Sequence, residues 1–110
     1  MIALVEQKKR ELAGLCQRFK VERLDLFGSA ADGRFQPATS DLDFLVRFAD
    51  RAPTGDYADR FLDMAEAMEK LFERRVDLVT EQSVRNPYFR RVMESSRQPV
   101  YERPDPQAAL

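Results

Sequence analysis

The run Asp41-Leu42-Asp43-Phe44-Leu45-Val46 constrains the fold more than any other part of the chain. Phe44, Leu45 and Val46 are consecutive and apolar. A strand over residues 42–48 therefore needs cover on both faces, as in the middle of a sheet. Side chains two apart in a strand point to the same face, so Asp41 and Asp43 project together from its mouth. An acid at that position is costly to bury unless something pairs it.

The rest of the chain supplies neighbours for such a strand. Residues 3–19 have helical spacing, with Val5, Leu12, Leu15, Cys16 and Phe19 on one face and Glu6, Lys8, Lys9, Arg10 and Glu11 mostly off it. Cys16 reads as a small buried hydrophobe. Arg23–Phe27 forms a short strand stopped by Gly28, and residues 29–40 form a loop with room for one helical turn. Beyond a polar connection, where Thr54 or Asp56 can cap, a second long helix runs over about 56–73. Its Phe61, Met64, Met68 and Phe72 recur at core-facing steps. Val76–Val79 is a third strand, a further helix starts near Asn86-Pro87, and Gln98–Tyr101 adds an edge strand, where Pro99 is tolerated. This alternation predicts an α/β or α+β sandwich with a small sheet of three or four strands. The 110 residues suffice for one domain, taken as residues 1–102, with 103–110 as a frayed tail.

Composition removes several function classes. A net charge of −1 argues against a general nucleic-acid binder, which needs a basic face. Histidine is absent, which excludes histidine bases and histidine-ligated zinc, and a single cysteine excludes an intrachain disulfide. Charge arrives by Glu6 and no apolar run reaches membrane-spanning length, so a cytoplasmic protein without membrane contact is expected. Catalysis would rest on carboxylates, hydroxyls, Lys or Arg, and a borrowed metal.

Two halves of the sequence fit that chemistry. Asp41 and Asp43, with Cβ atoms roughly 6–7 Å apart, can share divalent cations about 3.5–4 Å apart, as two-metal phosphoryl transfer requires. Magnesium suits hard oxygen ligands and completes its shell with phosphates. Gly28 lets backbone approach a phosphate, Ser29 offers a hydroxyl, and the turn that follows presents N–H groups. Asp77, set among Val76, Leu78 and Val79, completes the metal site or takes a proton if its strand lies beside 42–48. Asp25 lies too far back along its strand and reads as a solvated or paired acid. Arg85, Arg90, Arg91 and Arg97 make the C-terminal helix locally basic, read first as a solvated face.

Leu26-Phe27-Gly28-Ser29-Ala30-Ala31-Asp32-Gly33, then Ser40-Asp41-Leu42-Asp43-Phe44-Leu45-Val46, then Asp77 on a later strand, resemble the minimal nucleotidyltransferases of the DNA polymerase β-like superfamily. The resemblance covers residues 1 to about 102, with Asn86–Phe89 and Val100–Glu102 similar to that family's C-terminal end. It implies a small mixed sheet and Mg²⁺-dependent transfer of a nucleoside monophosphate, AMP from ATP, with two ions held by Asp41, Asp43 and Asp77. Gly28, Ser29 and Ser40 would hold the nucleotide. It further implies an antitoxin role beside a helical HEPN-domain toxin whose tyrosine is the AMP acceptor, in a homo- or hetero-oligomer. The resemblance departs at Asp32, where many relatives carry arginine. An acid there repels a triphosphate, and Arg34 is the substitute one turn away. Two alternatives follow: a catalytically inactive module that covers its toxin, and transfer onto a small molecule of the aminoglycoside kind.

Overall fold

The computed structural model describes residues 1–36, 40–49 and 55–104. Helices α1 (Ala3–Gln7) and α2 (Lys9–Arg18) lead into β1 (Val21–Phe27) and a single helical turn, α3 (Ser29–Asp32). Strand β2 (Leu42–Phe48), helix α4 (Gly55–Phe72) and strand β3 (Val76–Thr80) follow. A 3₁₀ turn at Glu81–Ser83, helix α5 (Pro87–Ser96) and strand β4 (Gln98–Glu102) complete the fold. The four strands form one mixed sheet in the order β3-β2-β1-β4. β1 is antiparallel to β2 and to β4, whereas β2 and β3 run parallel.

Strand alternation divides the core in two. Leu24, Leu26, Leu42, Phe44, Val46, Phe48, Val76, Leu78 and Val100 point to one face. Leu12 and Cys16 of α2 and Met64, Met68 and Phe72 of α4 cover them, and Phe72 stacks on Phe44 at 5.8 Å. Each fully buried side chain of this size contributes about 1.5–3 kcal/mol. Burial also pushes the Cys16 thiol up to about 12, which leaves it an inert core residue. The opposite face has a smaller cluster of Phe27, Leu45, Val84 and Met93, covered by α5. Two helices, the ten-residue α2 and the eighteen-residue α4, thus shield one face and the ten-residue α5 alone the other. The thinly covered face carries the odd-numbered side chains of β2 and β3 and those of β1 from Arg23 onward, including Asp25, Asp43 and Asp77; an irregularity after Val21 turns that residue into the main core instead.

Several element boundaries differ from those read in the sequence. The helix expected over 3–19 is interrupted at Lys8, whose amide bonds Val5 O at 3.1 Å, one residue short of a full α-turn. β1 begins at Val21 rather than Arg23, because Val21 pairs with Phe48 across the sheet. Asn86 caps α5, its Oδ1 accepting from the amides of Tyr88 (2.9 Å) and Phe89 (3.2 Å). Pro99 sits on edge strand β4, where a missing donor is least costly. Of the expected tail, Arg103 is still tied to β1, its amide donating to Glu22 O at 2.8 Å. Residues 105–110, and the cap expected at Thr54, lie outside the described residues. Among the described residues no helix is long and apolar enough to cross a membrane.

Candidate active site

Strand pairing brings the chemistry to one edge of the sheet. In the antiparallel β1–β2 pair the end of β1 lies beside the start of β2, with Phe27 opposite Asp43. In the parallel β2–β3 pair the two starts coincide, with Asp43 opposite Asp77. Gly28 follows immediately, at φ 71° and ψ −151°, a conformation essentially reserved for glycine. A Cβ there would overlap Asp43 Oδ2 and lie 3.2 Å from Asp43 Cγ. Glycine is therefore required twice, for the turn and for the carboxylate packed against it. Gly28 O then accepts the amides of Ala31 (3.0 Å) and Asp32 (3.1 Å), winding α3 so that Ser29 opens it.

The carboxyl group of Asp43 is pushed up to about 6. Burial is the main cause. The charges of Asp77 and Asp41 follow, then a hydrogen bond to Asp77. Asp43 and Asp77 thus face each other within hydrogen-bonding reach. Asp41 stands one residue before β2, with Arg75 Nε 3.8 Å from its Oδ2, and it lies off the cavity that the other two line. Ser40 also lies off that cavity. Its hydroxyl accepts from Gln36 N at 3.0 Å, and its carbonyl accepts from Arg74 Nη1 at 3.3 Å, so it closes the loop before Asp41. Among the described residues, no three acidic or cysteine side chains gather around a common point. The pair Asp43 and Asp77 nonetheless fits a divalent cation of hard character. Both donors are carboxylate oxygens, and a cation would relieve the like charge that adds to burial in raising Asp43. Asp41 would join by exchanging its Arg75 contact for the ion.

The cavity has a volume of about 1050 Å³ and lies between α3 and α5. Gly28, Ser29, Asp43 and Asp77 are at its polar end, joined by Asp32 and Arg34. Phe89 and Val92 of α5 form an apolar wall, 44% and 48% exposed, and Phe89 meets Phe27 edge-on at 6.3 Å. Asp32 and Arg34 are ion-paired at 2.6 Å. That guanidinium, donating a side-chain hydrogen bond, holds the Asp32 carboxyl below the usual range, so the acid at the cavity is neutralised within the loop.

One charged group differs from its sequence reading. Arg97 is not part of a solvated basic face; its side chain is 8% exposed. Its Nε and Nη2 grip Asp25, which is wholly buried, while Nη1 reaches Glu94 at 2.8 Å and Glu81 at 3.3 Å. Arg23 Nε adds a contact to Asp25 at 3.0 Å. The network pins the C-terminal end of α5 to the centre of β1 and so fixes the cavity wall. The sequence left Asp25 as a solvated or paired acid; the structure shows it buried and paired.

A family model described as a nucleotidyltransferase domain matches residues 9–100. A Methanocaldococcus jannaschii protein named "Putative protein adenylyltransferase MJ1379" is 36% identical over 80 residues, covering 73% of this chain and 77% of its own. A solved structure described as a "putative minimal nucleotidyltransferase" is 30% identical, with a TM-score of 0.70 over 86% of this chain and 90% of that one. At 17% identity, with a TM-score of 0.63 over 90% of this chain and 73% of that one, the fold also matches a structure of a tri-AMPylated Shewanella oneidensis HEPN toxin in complex with MNT antitoxin. The glycine turn packed on Asp43, the paired start of two parallel strands and the family match agree: the chain belongs to the nucleotidyltransferase-domain family and has the minimal nucleotidyltransferase fold.

Proposed function

We propose that this chain transfers AMP from ATP onto a hydroxyl of a partner protein, and that the partner is a HEPN-type toxin which the transfer silences. The observation that carries the reading is the Asp43–Asp77 pair, two carboxyls in parallel register beside a glycine turn that admits no side chain. The relatives' names and the toxin–antitoxin assembly sharing this fold support the choice of acceptor.

In this reading Gly28 and Ser29 receive the β- and γ-phosphates, and Ser40 keeps Asp41 in reach by closing its loop. Asp41, Asp43 and Asp77 would hold two Mg²⁺ ions, which supply charge neutralisation for the triphosphate and stabilise the departing pyrophosphate. The acceptor oxygen attacks the α-phosphorus and the bond to the pyrophosphate oxygen breaks. Asp77, exposed at the cavity, takes the hydroxyl proton. Positioning and electrostatics do most of the work, as in other phosphoryl transfers.

The test is incubation with α-labelled ATP, Mg²⁺ and a purified HEPN-type toxin. Label should appear on that partner and vanish with Asp43→Asn, which keeps the shape of the side chain. Full transfer by Asp43→Asn would refute the metal-binding role, and absence of label with the wild-type chain would leave the covering, non-catalytic module as the better reading.

A further inference from the structure

Two cationic side chains among the described residues line the cavity, and they are not equivalent. Arg97 has all three of its nitrogens engaged, by Asp25, Glu94 and Glu81, and its side chain is 8% exposed. It cannot turn to a ligand without leaving buried Asp25 to Arg23 alone. Arg34 is the opposite case. Its side chain is 75% exposed, and it is paired with Asp32, two residues away, through Nε at 2.8 Å and Nη2 at 2.6 Å. The hinge between them is Gly33, at φ 87°, with open space where a Cβ would stand.

The remaining charges at the polar end are acidic: Asp32, Asp43 and Asp77. A triphosphate placed there meets one exposed cation among the described residues, and that cation already holds a carboxylate oxygen with two nitrogens that a phosphate oxygen could equally take. Resting on the nucleotide-site reading above, we propose that Arg34 is the side chain that grips the β- and γ-phosphates, and that Asp32 is an internal stand-in for them, which the triphosphate displaces and which thereby sets nucleotide affinity. Asp32 does not mark a dead site here. It holds the guanidinium at the cavity rim and competes with the ligand for it.

Geometry supplies a clean variant. Asp32 Oδ1 also accepts the Arg34 amide at 3.2 Å, a bond that fixes the loop. Asp32→Asn keeps an oxygen for that amide and removes only the charge. Both side chains lie at the surface, where an ion pair adds little to stability, so neither substitution threatens the fold.

The experiment is calorimetric titration of the full chain with a non-hydrolysable ATP analogue and with AMP, each with Mg²⁺. The variants are Arg34→Ala, Asp32→Asn and the double substitution. Arg34→Ala should weaken the triphosphate by about tenfold or more, the loss of a charge-assisted grip, and leave AMP nearly unchanged. Asp32→Asn should tighten the triphosphate by about two- to fivefold, and that gain should shrink in the Arg34→Ala background. Triphosphate binding seen only with Asp32→Asn would support the stand-in in its strongest form. Triphosphate binding by the wild type that ignores Arg34→Ala, or that Asp32→Asn weakens, overturns this inference and leaves the nucleotide site standing. Failure of every variant to bind either nucleotide overturns the site itself, and the inference with it.

Discussion

Asp43→Asn should stabilise the metal-free protein at neutral pH, although it removes a residue central to the proposed chemistry. In the folded chain the Asp43 carboxyl sits at about 6 against an ordinary 3.8, chiefly through burial and then through Asp77 and Asp41. Between those two values the folded state binds more protons than the unfolded chain, so stability falls as pH rises through that window and stays low above it. The full gap corresponds to about 3 kcal/mol, and partial exposure of the group reduces this to about 1–2 kcal/mol. Asparagine carries no charge and escapes the penalty. In EDTA at pH 7.5 its thermal midpoint should exceed that of the wild type by roughly 5–10 °C, and the difference should close near pH 4. With millimolar Mg²⁺ the order should narrow or reverse, because the wild type gains a ligand that binds only the folded form. Equal midpoints across the whole pH range, or a less stable variant at pH 7.5, would refute the claim that burial and the neighbouring acids penalise the charged form of Asp43.

Gly28→Ala should lower stability by about 1–3 kcal/mol, from backbone strain alone, and should displace the Asp43 carboxylate that its Cβ would overlap. Denaturant unfolding reads the first effect, and loss of label transfer under conditions where the variant is fully folded reads the second. Arg97→Met should cost about 3–5 kcal/mol, because it leaves Asp25 buried with Arg23 as its remaining cation. Adding Asp25→Asn to it should recover much of that loss, a recovery that urea titration of the pair of variants would show or deny.

The large features of the fold were legible because they depend on periodicity. Phe44-Leu45-Val46 demanded a central strand, and β2 lies between β1 and β3. The apolar steps of α4 and the proline-marked start of α5 were equally local signals. Where the reading stopped short, the cause is distance along the chain. Arg97 and Asp25 are 72 residues apart, and no local pattern distinguishes a buried arginine from a solvated one. The interruption at Lys8 lies inside an amphipathic pattern that continues across it. Asp41 shares a face with Asp43 by strand alternation, yet its place just outside β2 lets it lean toward Arg75 instead. The proximity of Asp77 to Asp43 was conditional on strand order, which the sequence left open and the parallel β2–β3 pair provides.

That strand order also separates a site from an accident. A single acid at a strand end is common and inexpensive, because water reaches it. Here an antiparallel pair and a parallel pair converge, so the end of β1 and the starts of β2 and β3 share one edge. At that edge the chain places Asp41, Asp43 and Asp77, and packs Gly28 against the middle one. Burying apolar side chains there would have been more stable, as the same face shows two residues further on, where Leu45 and Val79 pack together. Like charges held against their own repulsion, beneath a cavity and beside a backbone that tolerates no side chain, are a stability loss that folding alone gives no reason to keep. A ligand of opposite charge gives one. The metal-dependent reversal of the Asp43→Asn effect therefore bears on more than one residue, since it asks whether the crowding exists for a cation or merely despite the fold.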